Sequence, residues 1–236
     1  MTTTRQKSPG EICEMFDSLV GVYDLLNRIL SLGCDRFWRT RLAAKCIRDG
    51  SERVLDLCCG TGDLAIAFAK KLNASGSVHA LDFSPAMLEK TCHKLAKKKL
   101  TPIVSVARGD ATDTRLPNES FDIVAFGFGL RNLPDRREAL REAARLLRPG
   151  GRLGILEFTR PDNAPAFARF YIRRVVPIIG RIFTRRRDNP YRYLAQSIAD
   201  FASADELRDD LCEIGLKNVQ YQLNHTGVIA LHTATK

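Results

Sequence analysis

The stretch Arg53-Val54-Leu55-Asp56-Leu57-Cys58-Cys59-Gly60-Thr61-Gly62-Asp63-Leu64-Ala65 leaves this chain few choices of fold. An apolar run carrying one acid leads into two glycines around a threonine, and an alanine-rich helical pattern follows. That order reads as a buried strand, a tight turn and a helix, the arrangement that cradles nucleotides. Gly60 and Gly62 lack a Cβ, so the backbone can turn sharply and a ligand can approach its N–H groups. Asp56 stands where such a turn needs an acceptor.

Two classes of cofactor use a loop of this kind. Gly60-x-Gly62-x-x-Ala65 satisfies the dinucleotide fingerprint with alanine in third place, and Asp82 follows near the ~20-residue spacing of a ribose-binding acid. A pyrophosphate, however, wants an uncluttered positive helix N-terminus, and Asp63 directly after the second glycine would repel it. S-adenosylmethionine has no phosphate, and its sulfonium and amino groups are cationic. Acids at the strand ends therefore favour it over NAD.

Beyond the loop, strand and helix patterns alternate. Residues 78–82 read as a second strand, and Ser84-Pro85 as the cap and first position of a helix ending at Lys97-Lys98-Lys99, where positive charge suits the helix dipole. Residues 103–108 and 121–127 read as further strands. A helix is expected over 134–147, stopped by Arg148-Pro149-Gly150-Gly151, with a fifth strand at 152–158. The result is a doubly wound parallel sheet. A helix over 204–215 and a hairpin of strands 219–223 and 228–233 close the chain, unlike a second dinucleotide-binding half. Before the first strand, residues 1–8 are expected to form a polar disordered arm. Ile12, Phe16, Leu19, Val20, Tyr23, Leu26 and Leu30 recur at helical spacing, in one helix or a pair broken near Gly21. Gly33 can end it, and Asp35 can cap a second helix carrying Phe37, Trp38 and Leu42. The expected organisation is an arm and helical cap over 1–50 and a main domain over 51–236.

Sheets of this class bind ligands beyond the carboxyl ends of their strands. Asp82 would accept from vicinal ribose hydroxyls, Asp110 from an adenine amino group beside the small Ala111, and Gly127 leaves room for a methionine chain. Each acid taken singly could equally be a cap or a turn residue. Their coincidence at successive strand ends points to a site.

The net charge of +10 over 236 residues favours an anionic partner, whether nucleic acid or a phospholipid surface. Residues 165–187 interleave Phe167, Phe170, Tyr171, Val175, Val176 and Ile178 with Arg169, Arg173, Arg174, Arg181 and Arg185. That mixture suits an anionic bilayer, or a packed helix with a solvated basic face; no nucleic-acid motif accompanies it. The seven cysteines include no C-x-x-C pair and share no metal-ligand spacing with the four histidines, so reduced thiols and no metal are expected. No run approaches the ~18 apolar residues of a membrane span, and residues 1–10 have no signal-peptide core. The expectation is a soluble or peripheral protein.

Longer motifs carry a resemblance. Tyr23-Asp24-Leu25-Leu26-Asn27, Leu30-Ser31-Leu32-Gly33, Trp38, the Gly60–Leu64 loop, Phe128-Gly129-Leu130-Arg131-Asn132, the run 147–157 and Tyr193-Leu194-x-x-Ser197 occur in order. Together they are similar to the ubiquinone/menaquinone biosynthesis C-methyltransferase family. The resemblance implies a class I S-adenosylmethionine-dependent methyltransferase (Rossmann-like) fold, with a mostly parallel sheet closed by an antiparallel hairpin. It implies S-adenosylmethionine as donor and a polyprenylated quinol ring carbon as acceptor, demethylmenaquinol first and a methoxy-polyprenyl-benzoquinol second. By position, the family's cofactor contacts fall on Thr61, Asp82, Asp110 and Ala111. A further contact, usually serine, falls on Gly127, where only backbone is available. Cys58-Cys59 replaces a small alanine or glycine pair.

A quinol ring carbon becomes nucleophilic when the adjacent hydroxyl loses its proton, so the site must position the reactants and steady a phenolate. Arg131 is expected to supply a fixed positive charge, a strand-end salt bridge being its plainer alternative, and Asn132 a hydrogen-bond donor. Arginine stays protonated, so a water or a carboxylate must take the proton, with Tyr23 and His225 as candidate partners. Because such a substrate lives in the bilayer, the basic insertion at about 165–200 is expected to meet an anionic membrane surface, placing a cytoplasmic protein at its inner face. A homo-oligomer is compatible with the sequence, and no nucleic-acid partner is expected. The rival readings are a methyltransferase acting on a soluble small molecule or another O or N acceptor, and a non-catalytic cofactor-binding module on nucleic acid or a biosynthetic complex.

Overall fold

The computed structural model describes Gly10, residues 33–160, Pro165, Ala166, Phe170, Arg174 and residues 190–236. The helices expected over 11–32, Tyr23 included, and most of the basic stretch 165–187 lie outside the described residues.

Seven strands form one sheet in the order β3-β2-β1-β4-β5-β7-β6. They are β1 (Arg53–Leu57), β2 (Ser77–Asp82), β3 (Val104–Arg108), β4 (Phe121–Gly127), β5 (Leu147–Phe158), β6 (Lys217–Leu223) and β7 (Ile229–Thr235). Neighbours among the first five pair in parallel, while β7 runs antiparallel to both β5 and β6. The chain builds outward from β1 to β3, then returns to lay β4 on the other side of β1. That reversal is the switch point at which such sheets open a crevice.

The sheet is covered on both faces, so β1 and β4 are nearly continuously buried. Successive residues point to opposite faces. Val54 and Ile123 meet Leu42 and Phe68 on one side; Leu55 and Val124 meet Leu140 and Leu211 on the other. The first side carries α1 (Cys34–Cys46), α2 (Asp63–Ala69) and α3 (Pro85–Lys97). The second carries α4 (Arg136–Leu146) and α6 (Ala204–Glu213), with α5 (Pro190–Asp200) preceding α6.

Cap chemistry sets several helix starts. Ser84 Oγ accepts from the Met87 amide with Pro85 at the first position, as the sequence predicts. Asp135 caps α4 through the Arg137 and Glu138 amides, so this helix begins two residues after the expected start. Ser203 and Glu206 form a reciprocal capping box at α6. At α1 the expectation fails: Gly33, at φ 78°, occupies the cap position without a side-chain bond. Asp35 lies inside the first turn, turned to Arg39 four residues on.

Two other expectations change. The run Arg148-Pro149-Gly150-Gly151 follows the end of α4 but belongs to β5, where the pairing with β4 shifts between Phe121 and Ile123. The carboxyl terminus replaces the missing ladder bonds: the Gly150 amide donates to the Lys236 carbonyl, and the Lys236 amide to Gly151. Helix α5 lies inside the stretch read only as a basic insertion. Among the described residues no helix is long and apolar enough to cross a membrane, and no group of acids, histidines and cysteines is placed to hold a metal.

Candidate active site

The glycine loop is held from two sides. Where β1 ends, Cys58 takes a left-handed conformation at φ 56°, and Gly60 and Gly62 follow at 54° and 79°. The Cys59 amide donates to the Leu81 carbonyl, the Gly60 amide to Asp82 Oδ2 at 2.7 Å, and Thr91 Oγ1 to the Gly60 carbonyl at 2.7 Å. The two glycines do different work. A Cβ on Gly62 would come within 2.6 Å of the Thr91 methyl, so this glycine lets α2 pack on α3. A Cβ on Gly60 would meet nothing within 4 Å, so here the backbone faces open space.

That space is a cavity of about 210 Å³ at the carboxyl ends of the central strands. Of the residues predicted from the sequence, Gly60, Thr61, Asp82, Asp110, Ala111, Gly127 and Asn132 line it; Asp56, Gly62 and Arg131 do not. Asp82 accepts from the Ser84 amide on Oδ1 and the Gly60 amide on Oδ2, and a carboxylate has further lone-pair sites for ribose hydroxyls. Asp110 Oδ1 accepts from the Thr112 amide and hydroxyl, both at 2.8 Å, which shapes the turn after β3. At Gly127 an added Cβ would lie 2.9 Å from Leu64 Cδ2, so a side chain has no room here unless Leu64 moves. Cys58 leaves a tighter fit still, since a Cβ on Gly129 would stand 2.4 Å from the Cys58 Cβ.

Asp56 is completely buried beneath the loop rather than exposed to a ligand. Burial pushes its carboxyl up to about 8, which the Ala65 backbone amide and the charge of Arg39 only partly offset. The Cys58 and Cys59 thiols are likewise raised well above their ordinary value, by burial and by the carboxylates around them. They are neutral small fillers. Asp63, expected to repel a diphosphate, is paired with Lys94 of α3, which weakens that repulsion.

Arg131 lies in a short 3₁₀ turn, Leu130–Asn132, directly past β4. Its Nη1 donates to Glu157 Oε1 at 2.7 Å and to the Phe128 carbonyl at 2.6 Å, and its side chain and that of Glu157 are 5% and 1% exposed. The charge predicted for the site is therefore balanced by a carboxylate at the end of β5, while Nε is buried without a partner. Asn132 faces the cavity, and its Oδ1 accepts from the Tyr193 hydroxyl at 3.3 Å. Burial raises the Tyr193 phenol, keeping it a donor. His225 is exposed in the hairpin turn and does not line the cavity. The sequence gives Glu157, Tyr193 and Arg39 no site role: Glu157 and Tyr193 stand only within the longer motifs, and the signal for Arg39 is its place four residues after Asp35 on one helix.

The cavity suits S-adenosylmethionine: acids for cationic groups and for a ribose, a small apolar wall at Ala111, and open backbone at Gly60. Comparison with known proteins narrows the reading. The model of the ubiE/COQ5 methyltransferase family matches residues 1–236. The chain belongs to this family. Similar members include a demethylmenaquinone methyltransferase of Lactiplantibacillus plantarum, 40% identical over 94% of each chain. A ubiquinone/menaquinone biosynthesis C-methyltransferase UbiE of Geotalea daltonii is 36% identical over 96% of each. Among solved structures, the [4+2]-cyclase SpnF superposes with a TM-score of 0.70 over 96% of this chain and 95% of its own, at 17% identity. A SAM-dependent methyltransferase from Aquifex aeolicus gives 0.63 over 86% and 91%, at 18% identity. These last likenesses concern fold alone, and the cyclase illustrates that one fold hosts different chemistries.

Proposed function

We propose that this chain is an S-adenosylmethionine-dependent C-methyltransferase acting on a polyprenylated quinol ring, demethylmenaquinol foremost. A methoxy-polyprenyl-benzoquinol is the second acceptor. The observation that carries this reading is the match to the ubiE/COQ5 family over the whole chain, with relatives named for both quinone pathways.

When bound, S-adenosylmethionine supplies a methyl group made electrophilic by its sulfonium. Asp82 takes the ribose hydroxyls, Asp110 and Ala111 hold the adenine, Thr61 and the open backbone at Gly60 border the same ligand, and Gly127 contributes backbone only. Asn132 is the group best placed to touch the acceptor. With Tyr193 donating to its Oδ1, its amide N–H₂ is left to donate to a ring oxygen, steadying the phenolate in a space where low dielectric strengthens the bond. Arg131, clamped to Glu157, holds the turn that presents Asn132 and sets a charge pair behind it. Tyr23 remains a candidate acceptor-side group from the sequence.

The basic apolar stretch at 165–187 is read as the part that meets an anionic bilayer, where a polyprenyl substrate resides. Phe170, one of its aromatics, is 63% exposed. Flotation with anionic liposomes should give binding that falls as salt rises; no binding would remove this part of the reading.

The acceptor is tested by incubating the protein and labelled S-adenosylmethionine with each reduced quinol separately. Label in either ring supports the reading and names the pathway. A protein that binds the donor but labels neither quinol would overturn the acceptor assignment.

A further inference from the structure

The acids around the cavity account for the ribose and the cationic groups of S-adenosylmethionine, and leave its α-carboxylate without a partner. Among the described residues that line the cavity, the carboxylates are those of Asp63, Asp82, Asp110, Asp135 and Glu138, and Arg39 is the one cation. An anion brought among carboxylates is repelled unless a positive group is built in to meet it. Arg39 is built in. It is 7% exposed, its Nη1 donates to Asp35 Oδ2 at 2.8 Å, and its guanidinium carbon lies 5.1 Å from the centre of the Phe128 ring. Phe128 follows Gly127, and both line the cavity at the strand end that the proposed donor site gives to the methionine part of the ligand. A guanidinium offers five N–H donors in a planar fork, more than the Asp35 carboxylate takes up.

We infer that Arg39 binds the α-carboxylate of S-adenosylmethionine through a charge-assisted hydrogen bond, with Asp35 holding the guanidinium toward the cavity. The inference rests on the donor reading above. It makes α1, an element outside the strand-and-loop framework, part of the cofactor site, so that the site recognises the amino-acid end of the ligand as well as the nucleoside.

The test compares S-adenosylhomocysteine, which keeps the carboxylate, with 5′-methylthioadenosine, which lacks the amino-acid end, by calorimetric binding. Arg39→Gln should weaken the first ligand roughly 10- to 100-fold and leave the second within about twofold. Arg39→Lys, which keeps the charge and loses the fork, should fall between parent and Arg39→Gln for the first ligand alone. Equal loss of both ligands, or loss of neither, would overturn the inference. Because Arg39 is buried, a measurement free of variants accompanies these: the parent should prefer S-adenosylhomocysteine over its decarboxylated analogue by a similar factor, and equal affinity would also overturn it. A parent that binds neither carboxylated nor truncated ligand would instead overturn the donor reading, and this inference with it.

Discussion

Asp56 and Asp82 are both acids at strand ends, and burial assigns them opposite work. Asp82 borders the cavity and ties the loop through the Gly60 and Ser84 amides. Replacing it with Asn puts an N–H₂ against one of those amides and removes the charge. Asp82→Asn should weaken donor binding by about 10- to 100-fold while the protein still folds, as calorimetry and circular dichroism would report. Asp56 is fully buried and does not line the cavity, and its folded value of about 8 lies above the ordinary 3.8. The folded state therefore holds a proton that the unfolded state has released. Its contribution to stability is full below about pH 4 and is lost as pH rises toward about 8. Asp56→Asn should remove that slope, so that the melting temperatures of parent and variant diverge across this window; parallel profiles would contradict the assignment. At Gly127, an added side chain would meet Leu64 at 2.9 Å. Gly127→Ser should lower stability by about 1–3 kcal/mol, read as a lower denaturant midpoint.

At the scale of elements, the position of α1 decides whether Arg39 reaches the cavity. A Cβ on Gly154 of β5 would stand 2.6 Å from Cys46 Sγ and 3.0 Å from Leu42 Cδ1, so the helix rests directly on the strand. Gly154→Ala should lift it, lowering stability by about 1–3 kcal/mol and weakening S-adenosylhomocysteine more than 5′-methylthioadenosine. Equal affinities in parent and variant would mean that α1 does not serve the site. Elements defined by local chemistry were legible in the sequence: the strand-turn-helix at 53–65, the Ser84-Pro85 start and the final hairpin. Those decided by tertiary partners were not. Pro149-Gly150-Gly151 carries every local sign of a stop, yet Lys236 supplies its hydrogen bonds and the strand continues through it. The same division holds in the site. Asp82, Asp110 and Ala111 follow from their places after strands, whereas Arg131 meets Glu157 across 26 residues of sequence, and no local pattern encodes that pairing.

Taken whole, the molecule sets a cavity of about 210 Å³ at the switch point of the sheet, with Asn132 in its wall. Among the described residues no helix is long and apolar enough to cross a membrane; on the reading proposed, the basic stretch at 165–187 is the part that meets the bilayer. The family match leaves one chemical statement at the centre, transfer of a methyl group to carbon. The most direct measurement is tandem mass spectrometry of the product formed from demethylmenaquinol and deuteromethyl-labelled S-adenosylmethionine. The label is expected on a ring carbon, stable to reagents that cleave methyl ethers. Label on a quinol oxygen, lost on ether cleavage, would contradict it.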